Sequence, residues 1–319
     1  MPMLKYQDRL YWIDLLKTIA ALLITNSHCQ NIYPISYLAF GGTFGNALFF
    51  IISGYLLVNI NTNFCLWYSK RINKILPATL ICLIVNFVLF YNLDVINIGF
   101  KKHLSYIFDL FWFVWAILIY YVIYYFVIKQ VLKKQTIQPI IILLSIWVIG
   151  YILLFCINLH LKANTFFVEL SGFDFFKVYY YFGIFIIGAL FRFLQPKISF
   201  NRYFALLVVF LGVCLWALVY SMIFIYNQCY SIQFLVHFGV LLFSFFAMIF
   251  FSQLHIKKIA IVNLLAISTL EIYLLQITFI KVSQSFAFPV NWLCHFSIAL
   301  IGGVLYHYLL SKMLKKCAK

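Results

Sequence analysis

Acidic side chains are nearly missing from this sequence: Asp and Glu together number 7 in 319 residues, and all charged types make up only 9%. A soluble globule of this length needs far more polar surface to cover its core, so that class is excluded. Proline is scarce too, with 6 residues, and no Pro-, Ser- or Gly-rich stretch marks a linker to a soluble domain. The 8 cysteines form no CxxC pair and no metal-ligand spacing, and most fall inside apolar runs as small core hydrophobes. His103, His160, His237, His255, His295 and His307 also lack paired ligand spacing, so no metal site is expected.

What the chain has in abundance is apolar surface: 66% hydrophobic residues, 21% aromatic, and a mean hydropathy of +1.03. About 20 apolar residues make one helical crossing of a bilayer. Runs of that size recur near 10–30, 43–60, 76–93, 108–128, 138–158, 176–194, 203–226, 232–252, 259–280 and 291–311. The expected fold is therefore all-α: a polytopic membrane protein of about ten transmembrane helices, forming one membrane domain over residues 1–319. The start has basic residues before an apolar run, as a signal peptide does. No small-residue cleavage site follows, so it reads as a retained first helix.

The net charge of +16 is spread as short clusters between apolar runs, which fits membrane-protein loops and not a nucleic-acid-binding face. With a cytoplasmic N-terminus, that side receives Lys5 and Arg9, the cluster Lys70, Arg71 and Lys74, then Lys129, Lys133 and Lys134. It also receives Arg192, Lys197, Arg202, Lys257, Lys258 and the basic C-terminal end. Only Lys101, Lys102, Lys162, Lys177 and Lys281 fall outside. Positive charge concentrates on cytoplasmic loops, so both termini are expected inside.

Against this apolar background, polar groups within a span are functional-site hypotheses. Lys17 and His28 lie in the first segment with ten residues between them. Eleven helical steps return nearly to the same face and separate the two by about 16 Å along the axis. Asp14 sits one turn before Lys17, close enough to pair with it and lower the cost of burying either charge. Glu271 falls in an otherwise apolar helix and needs a partner or a wet cavity.

Several stretches then fall into a pattern. Lys17 and His28 form a basic residue, ten residues, His motif. FGNALFFIISGYLL at 44–57 carries Gly45, Phe49, Phe50, Ser53 and Gly54. The loop that follows carries Arg71, Lys74 and Pro77. LFWFVWAIL at 110–118 and STLEIYLLQ at 268–276 come later. In order and spacing these resemble the membrane acyltransferase 3 family, integral-membrane O-acyltransferases that acetylate bacterial surface glycans. The resemblance covers nearly the whole chain and implies a ten-helix core. Three positions depart from the family pattern: Lys17 stands where Arg is usual, Lys74 replaces the second Arg of the loop element, and Gln276 stands where many members have His. No acid–base role is assigned to Gln276.

The resemblance implies an O-acetyltransferase that moves acetyl from cytoplasmic acetyl-CoA to a hydroxyl of a surface polysaccharide or lipid-linked glycan. The expected location is the bacterial cytoplasmic (inner) membrane. Acetyl-CoA enters as a substrate, and no permanently bound cofactor is expected. The partners are the glycan acceptor and the bilayer, without nucleic acid, and the oligomeric state is left open. His28 is the candidate base, because imidazole titrates nearest the working range. The developing oxyanion needs a positive charge or a hydrogen-bond donor, for which Lys17, Ser53 or a backbone amide are the candidates. At three turns from His28, Lys17 fits better a role in orienting the acyl donor or balancing Asp14.

Lys70, Arg71 and Lys74 match the phosphates of coenzyme A, and otherwise serve as a positive-inside anchor. Ser53 is either a substrate contact or part of a small-residue packing surface with Gly54. Trp112 and Phe113 are either interfacial aromatics or a platform for sugar. Glu271 is either a structural pair or part of the substrate cavity. Two other classes compete. A flippase for lipid-linked sugars predicts an internal repeat, and a glycan polymerase predicts a large polar outer loop. The sequence shows neither.

Overall fold

The computed structural model describes residues 10–57, 60–92, 111–134, 136–160, 175–194, 201–224, 230–254, 256–278 and 286–317. Every regular element among them is helical. Helix α1 spans Tyr11–Ser27, α2 Gly42–Leu56, α3 Phe64–Asn92 and α4 Trp112–Lys133. Next come α5 at Ile137–His160, α6 at Phe175–Leu194, α7 at Arg202–Phe224 and α8 at Gln233–Ser252. Helix α9 covers Ala260–Ile267 and α10 covers Thr269–Thr278. Helix α11 begins with Val290–Ser297, passes through a π-helical turn at Ile298–Gly302 and ends with Gly303–Cys317.

Among the described residues, 7 helices are long and apolar enough to cross a membrane: α2 and α4 to α8, with α11. Helices also occupy the expected spans at α1, α3 and α9–α10 without meeting both measures there. Helices α5 and α7 explain the composition most directly. Ile141, Ile142, Ile146, Ile149 and Ile152 on α5 are exposed, as are Leu207, Phe210, Leu211 and Leu218 on α7. A helix apolar on its outward side suits a lipid solvent, where every backbone polar group must be satisfied within the segment.

Three local expectations change. The basic cluster is not in a loop: Lys70, Arg71 and Lys74 lie within α3, which starts at Phe64 and includes Pro77. The Asn63 side chain accepts the Leu66 amide at 3.0 Å, and its carbonyl accepts the Trp67 amide at 3.1 Å, so the helix is capped well before the apolar run begins. The span expected at 259–280 is divided at Ser268, whose φ of −99° and ψ of 11° depart from helical values. Helix α4 continues past residue 128 through a π-helical turn at Tyr124–Ile128. Among the residues used for orientation, Lys5, Arg9, Lys101, Lys102, Lys162, Lys197, Lys281 and Lys319 lie outside the described residues, as do His103 and His255.

The chain divides into two compact units, one of Met1–Leu48 with Ala247–Lys319 and the other of Phe49–Phe246. In the first, α1 packs against α9 and α10, and α10 packs against α11. The Thr18 hydroxyl bonds the Val262 carbonyl at 3.2 Å, and the Tyr11 hydroxyl accepts the Ile259 amide at 3.0 Å, fixing α9 alongside the start of α1. Gly41 has a φ of +107°, a conformation that side-chain-bearing residues rarely adopt, and it turns the chain into α2.

In the second unit, α2 crosses α6 at two glycines. A Cβ on Gly54 would lie 1.9 Å from the Phe185 carbonyl oxygen, and one on Gly188 would lie 1.9 Å from that of Ile51. The two backbones meet without intervening side chains, the close approach that small residues permit between membrane helices. Helix α4 packs on α3 and α6, and α5 packs on α6.

Candidate active site

In the first unit the site grows from the end of α1. His28 is the C-cap residue, with φ −84° and ψ −2°, so the chain still follows a helical path there. Its amide donates to the Thr25 carbonyl at 3.3 Å, and the Cys29 thiol reaches the same carbonyl at 3.5 Å. Residue 25 thus holds the backbone on which the candidate base is mounted. Its hydroxyl lies 2.9 Å from the Ala21 carbonyl and 2.7 Å from Gln276 Oε1 on α10. His295 of α11 is buried and hydrogen-bonds the Thr25 backbone. Three helices therefore converge on one residue, three positions before His28.

The turn after His28 is equally constrained. Asn26 donates from Nδ2 to the carbonyls of Leu38, at 2.8 Å, and Phe40, at 2.9 Å, while its Oδ1 accepts the Tyr33 hydroxyl at 2.6 Å. One amide side chain closes residues 28–40 into a compact loop. Burial pushes the Tyr33 phenol above its ordinary pKa, which keeps the hydroxyl protonated as that bond requires. Cys29, Ile32 and Ala39 form a buried cluster packed by Tyr33, Trp292 and Phe296, and Asn291 Nδ2 bonds the Ile32 carbonyl at 3.2 Å.

Deeper in the same unit, Asp14 is buried and Lys17 half-buried, both on α1. The Thr18 hydroxyl lies 2.9 Å from the Asp14 carbonyl and also reaches Val262, so this level of α1 is tied to α9. The Thr25 level is tied to α10 and α11. Lys17 and His28 thus belong to two separate polar layers on one helix, as the eleven-residue spacing implies. Glu271 lies in the first turn of α10, is 4% exposed, and has Oε1 2.9 Å from His307 Nδ1. That pair supplies the partner that a buried carboxylate needs. His307 has no sequence signal as a partner, because it is on another helix, 36 positions away.

The second unit holds the remaining candidates. Lys70 and Lys74 are exposed on α3, and Arg71 is half-buried, with its guanidinium 5.7 Å from the Trp67 ring and 5.8 Å from the Tyr121 ring. Arg192, read from sequence as a topology anchor, donates to the Tyr55 hydroxyl at 2.7 Å and lies 4.9 Å from that ring. Both guanidiniums are held by aromatic faces, a contact suited to Arg. Ser53 is half-buried, and its neighbour Gly54 faces α6, so the packing role belongs to Gly54. Phe50 collects Phe113 at 4.5 Å, Tyr120 at 5.1 Å, Tyr181 at 5.3 Å and Trp112 at 5.9 Å. The Lys177 ammonium lies 4.0 Å from the Trp112 ring, so Trp112 and Phe113 are anchored within an aromatic layer.

The first unit therefore brings together Asp14, Lys17, His28 and Glu271 on packed helices, and the second holds Lys70, Arg71, Lys74, Ser53, Trp112 and Phe113. A titratable imidazole at a rigid helix end, backed by buried hydrogen-bonding side chains, is an arrangement able to take a proton from a hydroxyl. No curated protein and no solved structure matches the chain. A family model described as an acyltransferase domain matches residues 10–312, nearly the whole sequence. The chain belongs to the acyltransferase 3 family and is a membrane acyltransferase.

Proposed function

We propose that this protein is a multi-pass O-acetyltransferase of the bacterial cytoplasmic membrane, taking acetyl from cytoplasmic acetyl-CoA and placing it on a hydroxyl of a surface polysaccharide or lipid-linked glycan. The observation that carries the proposal is His28 at the end of α1, mounted on the Thr25 layer in a chain of acyltransferase family. In this reading His28 accepts the proton of the attacking hydroxyl and returns it to the departing thiolate. Asp14 and Lys17 form a deeper charged layer that orients the acyl donor. Arg71, with Lys70 and Lys74, binds the phosphates of coenzyme A, which an exposed basic stripe beside a ring-held guanidinium suits. Ser53, Trp112, Phe113 and Glu271 contribute to acceptor recognition.

The test is the O-acetyl content of surface polysaccharide, read by NMR in cells carrying wild type, His28→Ala, Arg71→Ala or no gene, at matched membrane levels. Acetyl signals that require the gene and vanish with His28→Ala support the proposal. Absent or shortened polysaccharide with unchanged acetylation refutes it in favour of transport or polymerisation.

A further inference from the structure

An acyl transfer at His28 needs a hydrogen-bond donor for the carbonyl oxygen that becomes negative, and one buried group in the first unit is built for that. Gln276 is 1% exposed, and its Oε1 is fixed by the Thr25 hydroxyl at 2.7 Å. Its Nε2 is buried and has no hydrogen-bond partner among the described residues. Buried amide groups are nearly always bonded, so a fixed and unmatched N–H pair marks a place where an acceptor is missing. That acceptor cannot be a cation, because the group offers only protons.

Its position narrows the choice further. Thr25 precedes His28 by three residues on a continuous helical path, and side chains at that spacing are neighbours, with about 5–6 Å between Cβ atoms. A hydroxyl bonded to an imidazole, a carbonyl carbon next to it and an amide on the carbonyl oxygen together span about 6 Å from nitrogen to nitrogen, at ordinary hydrogen-bond lengths. Gln276 bonds Thr25, and Thr25 neighbours His28 on the same helix, so the amide and the imidazole flank one residue in the first unit. Lys17, about 16 Å along the axis from His28, is too far to serve the same oxygen.

We propose that Gln276 is a catalytic residue whose Nε2–H groups stabilise the oxyanion formed during transfer at His28, with Thr25 as the positioning residue that aims it. The inference rests on the function proposed above. As the acceptor oxygen bonds to the thioester carbon, His28 takes the hydroxyl proton and the carbonyl π electrons move onto oxygen, where Gln276 donates. Collapse of that intermediate breaks the carbon–sulfur bond, and the thiolate takes the proton from His28. An ester and a free thiol result, and nothing else is consumed.

The experiment measures thiol release from acetyl-CoA by the full-length protein in proteoliposomes, with polysaccharide extracted from gene-deleted cells as acceptor. Gln276→Met is expected to lower kcat about 100-fold, with KM for acetyl-CoA changed by less than about twofold, the pattern of a contact made only in the transition state. Gln276→His, which restores an N–H donor, is expected to recover most of the rate. Thr25→Val is expected to lower kcat about tenfold and Thr25→Ser to restore it. If Gln276→Met fails to assemble, Gln276→Glu keeps the shape and the contact to Thr25 while replacing the amide, and the same loss is expected. Gln276→Met with kcat within twofold of wild type, or Gln276→His no better than Gln276→Met, overturns the inference and leaves the acetyltransferase proposal standing. A wild-type protein that releases no thiol, with or without acceptor, overturns both.

Discussion

His307 Nδ1 and Glu271 Oε1 lie 2.9 Å apart and join α11 to α10 at a level where Glu271 is 4% exposed. Glu271 Oε2 has no hydrogen-bond partner among the described residues, so His307 bears most of the compensation for this buried carboxyl group. Removing one member of such a pair leaves the other desolvated, at a cost of about 3–5 kcal/mol when both are fully buried. His307 is partly exposed, which places His307→Leu nearer the lower end of that range. The double variant Glu271→Leu/His307→Leu is expected to be more stable than His307→Leu alone. Thermal denaturation of the four proteins in detergent, arranged as a double-mutant cycle, checks this. Equal losses for the single and double variants would show that the pair carries no coupling.

Gly54 and Gly188 make a complementary prediction. Each would place a Cβ 1.9 Å from a carbonyl oxygen of the facing helix, far inside contact distance, so α2 and α6 must separate to admit either methyl group. Gly54→Ala and Gly188→Ala are each expected to cost about 1–3 kcal/mol or more. The double variant should cost less than the sum, because one separation relieves both contacts. Ser53→Ala, next to Gly54 but half-buried, is expected to be near neutral in stability. Melting temperatures and membrane yields distinguish these outcomes.

These contacts mark where the sequence was legible and where it was not. Apolar runs at membrane length marked where helices lie, and among the described residues 7 of those helices are long and apolar enough to cross a membrane. The break at Ser268 has no Gly or Pro to announce it. Its signal is Ser268-x-x-Glu271, the spacing of an N-terminal capping box, hidden inside an apolar run. Here the box is not closed: Ser268 Oγ has no partner among the described residues, and Glu271 turns to His307. Basic residues before Pro77 suggested a loop, yet a helix carries them, since Lys and Arg are good helix formers and Asn63 supplies the cap. Lys17 and His28 were visible as polar groups in an apolar segment. Gln276 and His307 stood out without a partner or a role, and Thr25 and Asn26 did not stand out at all, because each acquires its role from a partner on another element or in a loop.

Asn26 carries the third prediction. It satisfies two backbone carbonyls and the Tyr33 hydroxyl, and so fixes the turn that begins at His28. Asn26→Ala leaves three groups needing new partners, at about 1–3 kcal/mol for each that stays buried. Partial exposure lets water replace some of them. The expected result is a modest loss of global stability with a clear rise in hydrogen exchange across residues 28–40. Unchanged exchange there would mean that the Cys29, Ile32 and Ala39 cluster holds the loop without it.

Arg71 tests the acyl-donor side. Its guanidinium is flanked by Trp67 and Tyr121, a setting in which the planar group keeps its orientation, and its N–H groups have no acceptor among the described residues that would compete with a phosphate. Arg71→Lys retains the charge but loses the planar fork. A rise of about tenfold in KM for acetyl-CoA with little change in kcat is expected, and a larger rise for Arg71→Ala. Raising the salt concentration should raise KM for acetyl-CoA in wild type and Arg71→Ala alike, because exposed Lys70 and Lys74 act through screened charge. A fall in kcat at constant KM would assign Arg71 to the chemical step instead.

Lys17 separates charge from proton transfer. It shares α1 with His28, but the axial distance of about 16 Å keeps it away from the reacting carbonyl. Whatever it contributes must therefore act on the acyl donor at some remove from the transferred group, or on buried Asp14. A role as fixed positive charge predicts that Lys17→Arg keeps kcat within about threefold, since Arg stays protonated even where desolvated. Lys17→Met is expected to raise KM for acetyl-CoA at least tenfold and to lose stability, because Asp14 is left with less compensation. The second loss should be relieved in Lys17→Met/Asp14→Asn while the KM effect persists. If Lys17→Arg is as inactive as Lys17→Met and its kcat falls with KM unchanged, the amine must lose its proton during turnover, and Lys17 belongs to the chemistry after all.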